Sequence, residues 1–351
     1  MKLLPFKEYN LKTQKILQAL NEASRALAEL KGYAISIPNQ HILFNAITIK
    51  EAMDSSVIEN IVTTHDSIYK VLTESGFREE AAKEVVDYRS AIWHGYEIIK
   101  EKGYISTNVL VELQALLEPN KTGIRKTSGT ALINSVTGKI IYTPPQTESE
   151  IRDLLKNLED YINNFEDEAD PLIKMALIHY QFESIHPFYD GNGRTGRILN
   201  VLYLVLTNLL DSPILYLSNY INNNKSTYYR LFTEFRESNN YEDWLIYILK
   251  GIEITSKKTI ELIKKIQEEM ENYKSEFKDK LPKIYSKELL DCLFFEVYTK
   301  INYVEERCCV TRQTAATYLN GLVEAGLLEY ERVGRESIYK NTRLINILKE
   351  F

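Results

Sequence analysis

The apolar positions of this chain recur at three- and four-residue steps over most of its length: from about Leu11 to Leu30, then near 54–75, 79–101, 106–117 and 147–165. That period predicts amphipathic helices. Further helices are expected at 171–182, 192–210, 226–238 and from Tyr241 onward. One segment breaks the pattern. Thr130 to Thr143 reads Ala-Leu-Ile-Asn-Ser-Val, Thr137-Gly138, then Lys-Ile-Ile-Tyr-Thr, closed by Pro144-Pro145, which predicts a short β-hairpin at 130–145.

From Ser256 to Lys280 the chain becomes strongly charged, with a stripe of Ile260, Ile263 and Ile266, as expected of a connecting helix that ends before Pro282. The tail predicts helices at 286–299 and 302–308, then a helix capped by Thr311 and stopped by Gly326. Strands at 327–332 and 337–341, joined by Val333, Gly334, Arg335 and Glu336, complete an order that resembles a winged helix-turn-helix domain. The expected fold is mainly α. It comprises an N-terminal helical segment (1–110), a helical core (111–250), a connecting helix (251–282) and the winged-helix tail (283–351).

Composition narrows the function. With 351 residues, 44% hydrophobic and 26% charged, the chain can bury a full core. Its net charge of −6 offers no global attraction for nucleic acid or acidic membranes. The tail from Lys283 to Phe351 carries ten basic and ten acidic residues. Arg312, Gln313 and Thr317 could reach base edges, and Arg332 and Arg335 phosphate, but DNA-binding domains carry a basic face, so protein contact or dimerisation is favoured. Three cysteines, Cys292, Cys308 and Cys309, form no disulfide or zinc pattern and fit a reducing cytoplasm. No export signal is evident, and the apolar run Ile198–Leu210 is too short to span a bilayer.

The chemistry concentrates in one stretch, His186-Pro-Phe-Tyr-Asp-Gly-Asn-Gly-Arg-Thr-Gly-Arg197. Gly191 and Gly193 let backbone N–H groups converge on an anion, and the helix start behind them adds its positive end. Arg194 and Arg197, three residues apart, suit phosphate oxygens, and Asp190 suits magnesium shared with a nucleotide. His186 beside a bound phosphate can take a proton from an incoming hydroxyl. Pro187 stiffens the loop, and Phe188 is expected to turn inward as an anchor.

These twelve residues match the signature of the Fic family without a mismatch, and the chain is identified as a member on that resemblance. It implies a helical Fic core at 111–250 that transfers AMP from ATP, with magnesium, to a Tyr, Thr or Ser hydroxyl of a target protein. By position, His186 is implied as general base and Asp190 as magnesium ligand. Gly191, Asn192 and Gly193 are implied as the anion hole, and Arg194 and Arg197 as phosphate clamps. Glycine rather than lysine at 193 favours nucleotidyl transfer over the kinase-like members. The hairpin at 130–145 resembles the family's flap, on which a target strand would pair. Lys225-Ser-Thr-Tyr-Tyr-Arg-Leu resembles the segment lining the nucleobase pocket, implying Tyr229 first and Tyr228 second. Gly123 and Arg125 also resemble the family, without an assigned role.

Ser55-Ser-Val-Ile-Glu59-Asn60 matches the family's inhibitory pattern, on a helix expected near 54–66. The resemblance implies that Glu59 pairs with Arg197 and withdraws it from the γ-phosphate. The same glutamate could instead serve removal of AMP from a modified target, and a DNA-binding regulator working through the tail is the alternative from another class. Self-modification and a homodimer stay open as partners; a membrane is not expected.

Overall fold

The computed structural model of the chain describes residues 1–36, 40–73, 79–133, 138–166, 168–333 and 336–350. Thr137 of the expected hairpin turn and Gly334 and Arg335 of the expected wing lie outside them. Helices α1 (Gln14–Ile35), α2 (Gln40–Ile58), α3 (His65–Thr73), α4 (Glu80–Lys102) and α5 (Thr107–Leu117) precede a hairpin of β1 (Leu132–Ile133) and β2 (Ile140–Tyr142). Then come α6 (Glu148–Asn163), α7 (Pro171–Ile185), α8 (Asn192–Leu206), α9 (Leu217–Asn223), α10 (Lys225–Ser238) and α11 (Tyr241–Lys280). The tail holds α12 (Lys287–Phe295), β3 (Tyr298–Thr299), α13 (Ile301–Cys308), α14 (Arg312–Glu324), β4 (Glu329–Val333), β5 (Glu336–Lys340) and α15 (Thr342–Glu350).

Helices α7 and α8 form the centre because their sequences are apolar nearly all round, and almost every residue of both is buried. Asp170 caps α7 by accepting from Leu172 N–H, with Pro171 fitting the first turn. Trp244 of α11 is fully buried, donates to the Ala176 carbonyl at 2.9 Å and stacks on His179. The mainly helical fold expected from the sequence is the one observed.

Several element boundaries differ from expectation, and three of the differences change how the fold is read. The helix from Tyr241 and the expected connecting helix are one 40-residue element, α11, because nothing between them breaks the turn. The helix expected over 286–299 stops at Phe295; Tyr298 and Thr299 extend and pair antiparallel with Lys340 and Tyr339, giving a three-stranded sheet of order β3-β5-β4. The pattern near 54–75 is divided between α2 and α3, so the helix expected near 54–66 ends at Ile58.

The cause of that ending is local. Asn60 takes a left-handed φ of 64°, its N–H bonds to the Val57 carbonyl, and the Ile61 N–H reaches back to the Ser56 carbonyl at 2.9 Å. This pair of bonds is a Schellman stop, which needs a residue at ease in the left-handed region. Lys225 Nζ donates to the Ile58 carbonyl at 2.6 Å, placing a cation at the negative end of α2. Glu59 is thereby fixed as the C-cap of α2. Replacing Asn60 with Val, whose β-branch disfavours positive φ, is expected to lower stability by about 1–3 kcal/mol in thermal or urea unfolding, while Asn60→Gly keeps it near wild type; equal loss by both would contradict the stop.

Candidate active site

Helix α7 ends at His186, which adopts φ 48° and bonds its N–H to the Phe182 carbonyl at 3.0 Å. The loop from Pro187 to Gly191 is then held from two sides. Arg125, fully buried, donates from Nε to the His186 carbonyl at 2.8 Å and from Nη2 to the Pro145 and Ile185 carbonyls; its backbone N–H bonds to the Pro187 carbonyl at 2.9 Å. Phe188 is buried as expected and pairs with Ile124. Asn192 closes the loop with its amide, accepting from Phe188 N–H at 2.8 Å and donating to the Phe188 carbonyl at 2.9 Å. Its side chain is therefore a staple of the loop, and what it can offer an anion is backbone.

Gly191 (φ 78°) is the N-cap of α8, where a left-handed backbone lets the helix start directly after the loop. Gly193 lies against the Glu59–Arg197 pair: a Cβ there would come within 2.5 Å of Glu59 Oε1 and 2.9 Å of Arg197 Nη1. A side chain at 193 would have to displace these two side-chain ends.

Each charged residue of the motif is engaged by another protein group. Arg197 of α8 is buried; its Nε donates to Ser55 Oγ at 2.8 Å, and Nη2 donates to Glu59 Oε1 at 2.8 Å and to the Ser55 carbonyl at 3.2 Å. Arg194, also buried, reaches Glu84 at 3.0 Å and Glu118. Asp190 accepts from Lys121 at 2.6 Å and from the Gly191 N–H at 2.9 Å. Burial alone would raise the pKa of Glu59, but the charge of Arg197, its hydrogen bond, and the fields of Arg194 and Lys225 hold it below the usual carboxylate range. Asp190 is likewise lowered: Lys121 and the Gly191 N–H outweigh burial.

His186, half-buried, has its pKa pushed down to about 4, by burial first and by the nearby Arg125 charge second. The imidazole is neutral at pH 7 and able to accept a proton. It shares a cavity of about 450 Å³ with Tyr189, Asp190, Gly191, Asn192, Gly193, Arg194 and Glu59. An adjoining cavity of about 490 Å³, sharing Glu59 and Leu132, is lined by Ile58, Ile133, Ile141, Glu183, Lys225, Tyr228 and Tyr229. Tyr229 is 49% exposed and faces this space, whereas Tyr228 is buried with its hydroxyl 2.9 Å from His179 Nε2. Tyr228 is thus mainly a core residue that forms part of the wall.

The structure therefore gathers His186, Asp190, Gly191, Asn192, Gly193, Arg194, Glu59 and Tyr229 around two joined cavities, with Arg197 and Ser55 buried behind Glu59. Sequence reasoning missed the carboxylates that hold Arg194 (Glu84 and Glu118), the lysine on Asp190 (Lys121), the helix-end cation Lys225 and the buried Glu183, whose pKa burial raises to about 7. Arg125 stood out beforehand, but its task, tying the loop, was not legible.

A helical protein with an anion cradle at the start of a buried helix is the class that fold and site define. The chain belongs to the Fic/DOC family: residues 17–97 match its model "Fic/DOC family N-terminal" and 104–204 match "Fic/DOC family". Residues 270–344 match "Protein adenylyltransferase SoFic-like, C-terminal domain". Among curated proteins, protein adenylyltransferase fic-1 of Caenorhabditis elegans is 40% identical over 62 residues, covering 16% of this chain and 11% of that protein. A probable protein adenylyltransferase of Aquifex aeolicus is 41% identical over 61 residues, covering 17% and 19%. The chain thus matches between about a tenth and a fifth of the length of these relatives. A Fic family protein from Desulfovibrio desulfuricans shares the fold with a TM-score of 0.59, 18% identity and coverage of 95% of this chain and 97% of the other. Fic-1 of C. elegans does so with a TM-score of 0.52, 20% identity and coverage of 71% and 72%.

The half-buried imidazole gives a direct test. Because the folded pKa of His186 lies below the unfolded value of about 6.5, the unfolded chain takes up that proton first, so its contribution lowers stability as pH falls through 6.5 toward about 4. Imidazole resonances followed by NMR should show His186 titrating below pH 5; a midpoint near 6.5 would contradict the burial argument.

Proposed function

We propose that this chain is a protein adenylyltransferase restrained at rest by Glu59. The observation that carries the reading is the joint placement of a neutral His186, the N-terminal turn of α8 and Arg194 around one cavity, with Arg197 bonded to the Glu59 that lines it and the cavity of Tyr229 beside it. ATP would place its phosphates at Gly191–Arg197 and its nucleoside against Tyr229. The target hydroxyl then gives its proton to His186 as its oxygen bonds to the α-phosphorus; the bond to the β-phosphate breaks and pyrophosphate leaves. Backbone N–H groups of the first turn of α8, with Arg194, stabilise the charge that develops.

Among the described residues, no three His, Cys, Asp or Glu side chains come together as a metal cage. Asp190, half-exposed and held by a Lys121 that is itself exposed, supplies a single carboxylate. That donor set fits magnesium bound jointly by one carboxylate and the nucleotide phosphates. Asp190 would hold it, and the ion would neutralise the phosphate charge.

Target recognition is assigned to the hairpin. Ile133, Ile140 and Ile141 are exposed on β1 and β2, an apolar edge that suits addition of an extended target segment through backbone bonds. The restraint follows from charge: Glu59 occupies both cavities and holds Arg197, so a triphosphate meets a carboxylate where it needs a cation.

Incorporation of AMP from radiolabelled ATP into the protein itself or into lysate proteins is the test. Glu59→Gly should raise incorporation at least about tenfold, and His186→Ala added to it should remove at least about 10²-fold of the gain. Equal labelling by wild type and Glu59→Gly would overturn the restraint, and undiminished labelling by the double variant would overturn the base.

A further inference from the structure

Glu51 lies on α2, about two turns before Glu59, and lines neither the phosphate cavity nor the nucleoside cavity. Its side chain is nonetheless buried, at 3% exposure, and fully bonded. It accepts from the Tyr88 hydroxyl of α4 at 3.1 Å, from the Ser218 N–H of α9 at 3.1 Å and from the Ser218 hydroxyl. Tyr88 and Ser218 are themselves fully buried. Burial pushes the Glu51 pKa up to about 7, against the bonds from Ser218 and the charge of Arg197. Burying a carboxyl is costly even when its bonds are made. What three directional bonds add over apolar packing is one fixed position.

That position bears on Glu59 through helix geometry. Glu51, Ser55 and Glu59 are spaced four residues apart, which places them in one stripe along about 12 Å of α2. Ser55 and Glu59 take Arg197, while Glu51 takes α4 and α9. The helix is joined to the α9–α10 segment at two further points: Asn219 Nδ2 donates to Asp54 Oδ2 at 3.1 Å, and Lys225 Nζ donates to the Ile58 carbonyl at 2.6 Å. Lys225 grips a backbone carbonyl at the helix end and leaves rotation about the axis free. Asn219 is partly exposed, so water can replace its bond. Of these three contacts, Glu51 is the one that is both buried and on the stripe of Glu59. It fixes which way that stripe faces.

We propose that Glu51 is a positioning residue of the restraint: by anchoring α2 to Tyr88 and Ser218, it holds Ser55 and Glu59 in the register at which they meet Arg197. The proposal rests on the reading of Glu59 as a restraint on nucleotidyl transfer. Without the anchor, α2 keeps its apolar packing but its last turns sample other orientations. Arg197 is then free for phosphate more of the time.

The test compares incorporation of AMP from radiolabelled ATP by full-length variants, with Glu59 present and in the Glu59→Gly background. With Glu59 present, Glu51→Leu should raise incorporation about three- to tenfold, and Ser218→Ala, which removes one of the three bonds, about threefold. Glu51→Gln keeps a carbonyl for the Ser218 N–H and an amide for the hydroxyls, so it should stay within about twofold of wild type. In the Glu59→Gly background none of the three should raise incorporation further. A folding defect would lower labelling in both backgrounds, and Ser218→Ala supplies the measurement if Glu51→Leu fails to fold. Labelling by Glu51→Leu and Ser218→Ala no higher than wild type, a gain in Glu51→Gln equal to that in Glu51→Leu, or an equal gain in both backgrounds would each overturn the anchor. Labelling by Glu59→Gly no higher than wild type would instead overturn the restraint on which the anchor acts.

Discussion

One guanidinium joins the two halves of this protein. Arg197 belongs to α8, the buried helix that follows the anion loop, yet its three hydrogen bonds go to Ser55 and Glu59 at the end of α2. A buried arginine needs a partner, and here the partner is the N-terminal segment. The side chain of Glu59 is 38% exposed, so solvent tempers its attraction for Arg197. The restraint proposed for Glu59, which nucleotide phosphates would have to displace, requires that compromise. Deeper burial of the carboxylate would strengthen the hold and make it harder to reverse.

The same logic extends across the cradle. Arg194 is neutralised by Glu84 of α4 and Glu118 after α5, and Asp190 by Lys121. The site is electrostatically closed before any ligand arrives. On the proposed function, binding a nucleotide would be an exchange of partners, carboxylate for phosphate at the arginines and lysine for metal at the aspartate. The backbone cradle needs no such exchange, because Arg125 and the Asn192 amide hold the loop in shape independently of its charges.

What the sequence revealed and concealed follows from distance along the chain. The anion loop was legible because its glycines, acid and arginines are contiguous, so their geometry is set locally. Glu84 and Glu118 lie more than seventy residues from Arg194, and no spacing rule joins them. The end of α2 was legible but not read: Ile58, Ile61, Ile68 and Leu72 continue the apolar spacing across a stop that Asn60 alone marks. Likewise β3 forms because Tyr298 and Thr299 find β5, a partner some forty residues away. Element type came from period; element ends came from single residues and tertiary pairing.

The tail belongs to this network as well. Tyr298 stacks on Tyr69 of α3 at 4.4 Å and its hydroxyl donates to Asp66 at 2.9 Å, while Asn45 of α2 donates to the Phe295 carbonyl at 3.0 Å. The segment that carries Glu59 is thus fastened to Arg197 and Lys225 on one side and to the tail on the other. An ion pair, Lys340 with Asp66 at 3.6 Å, adds to the same contact. Covalent and packed connections thus run from the tail through α3 and α2 to Glu59.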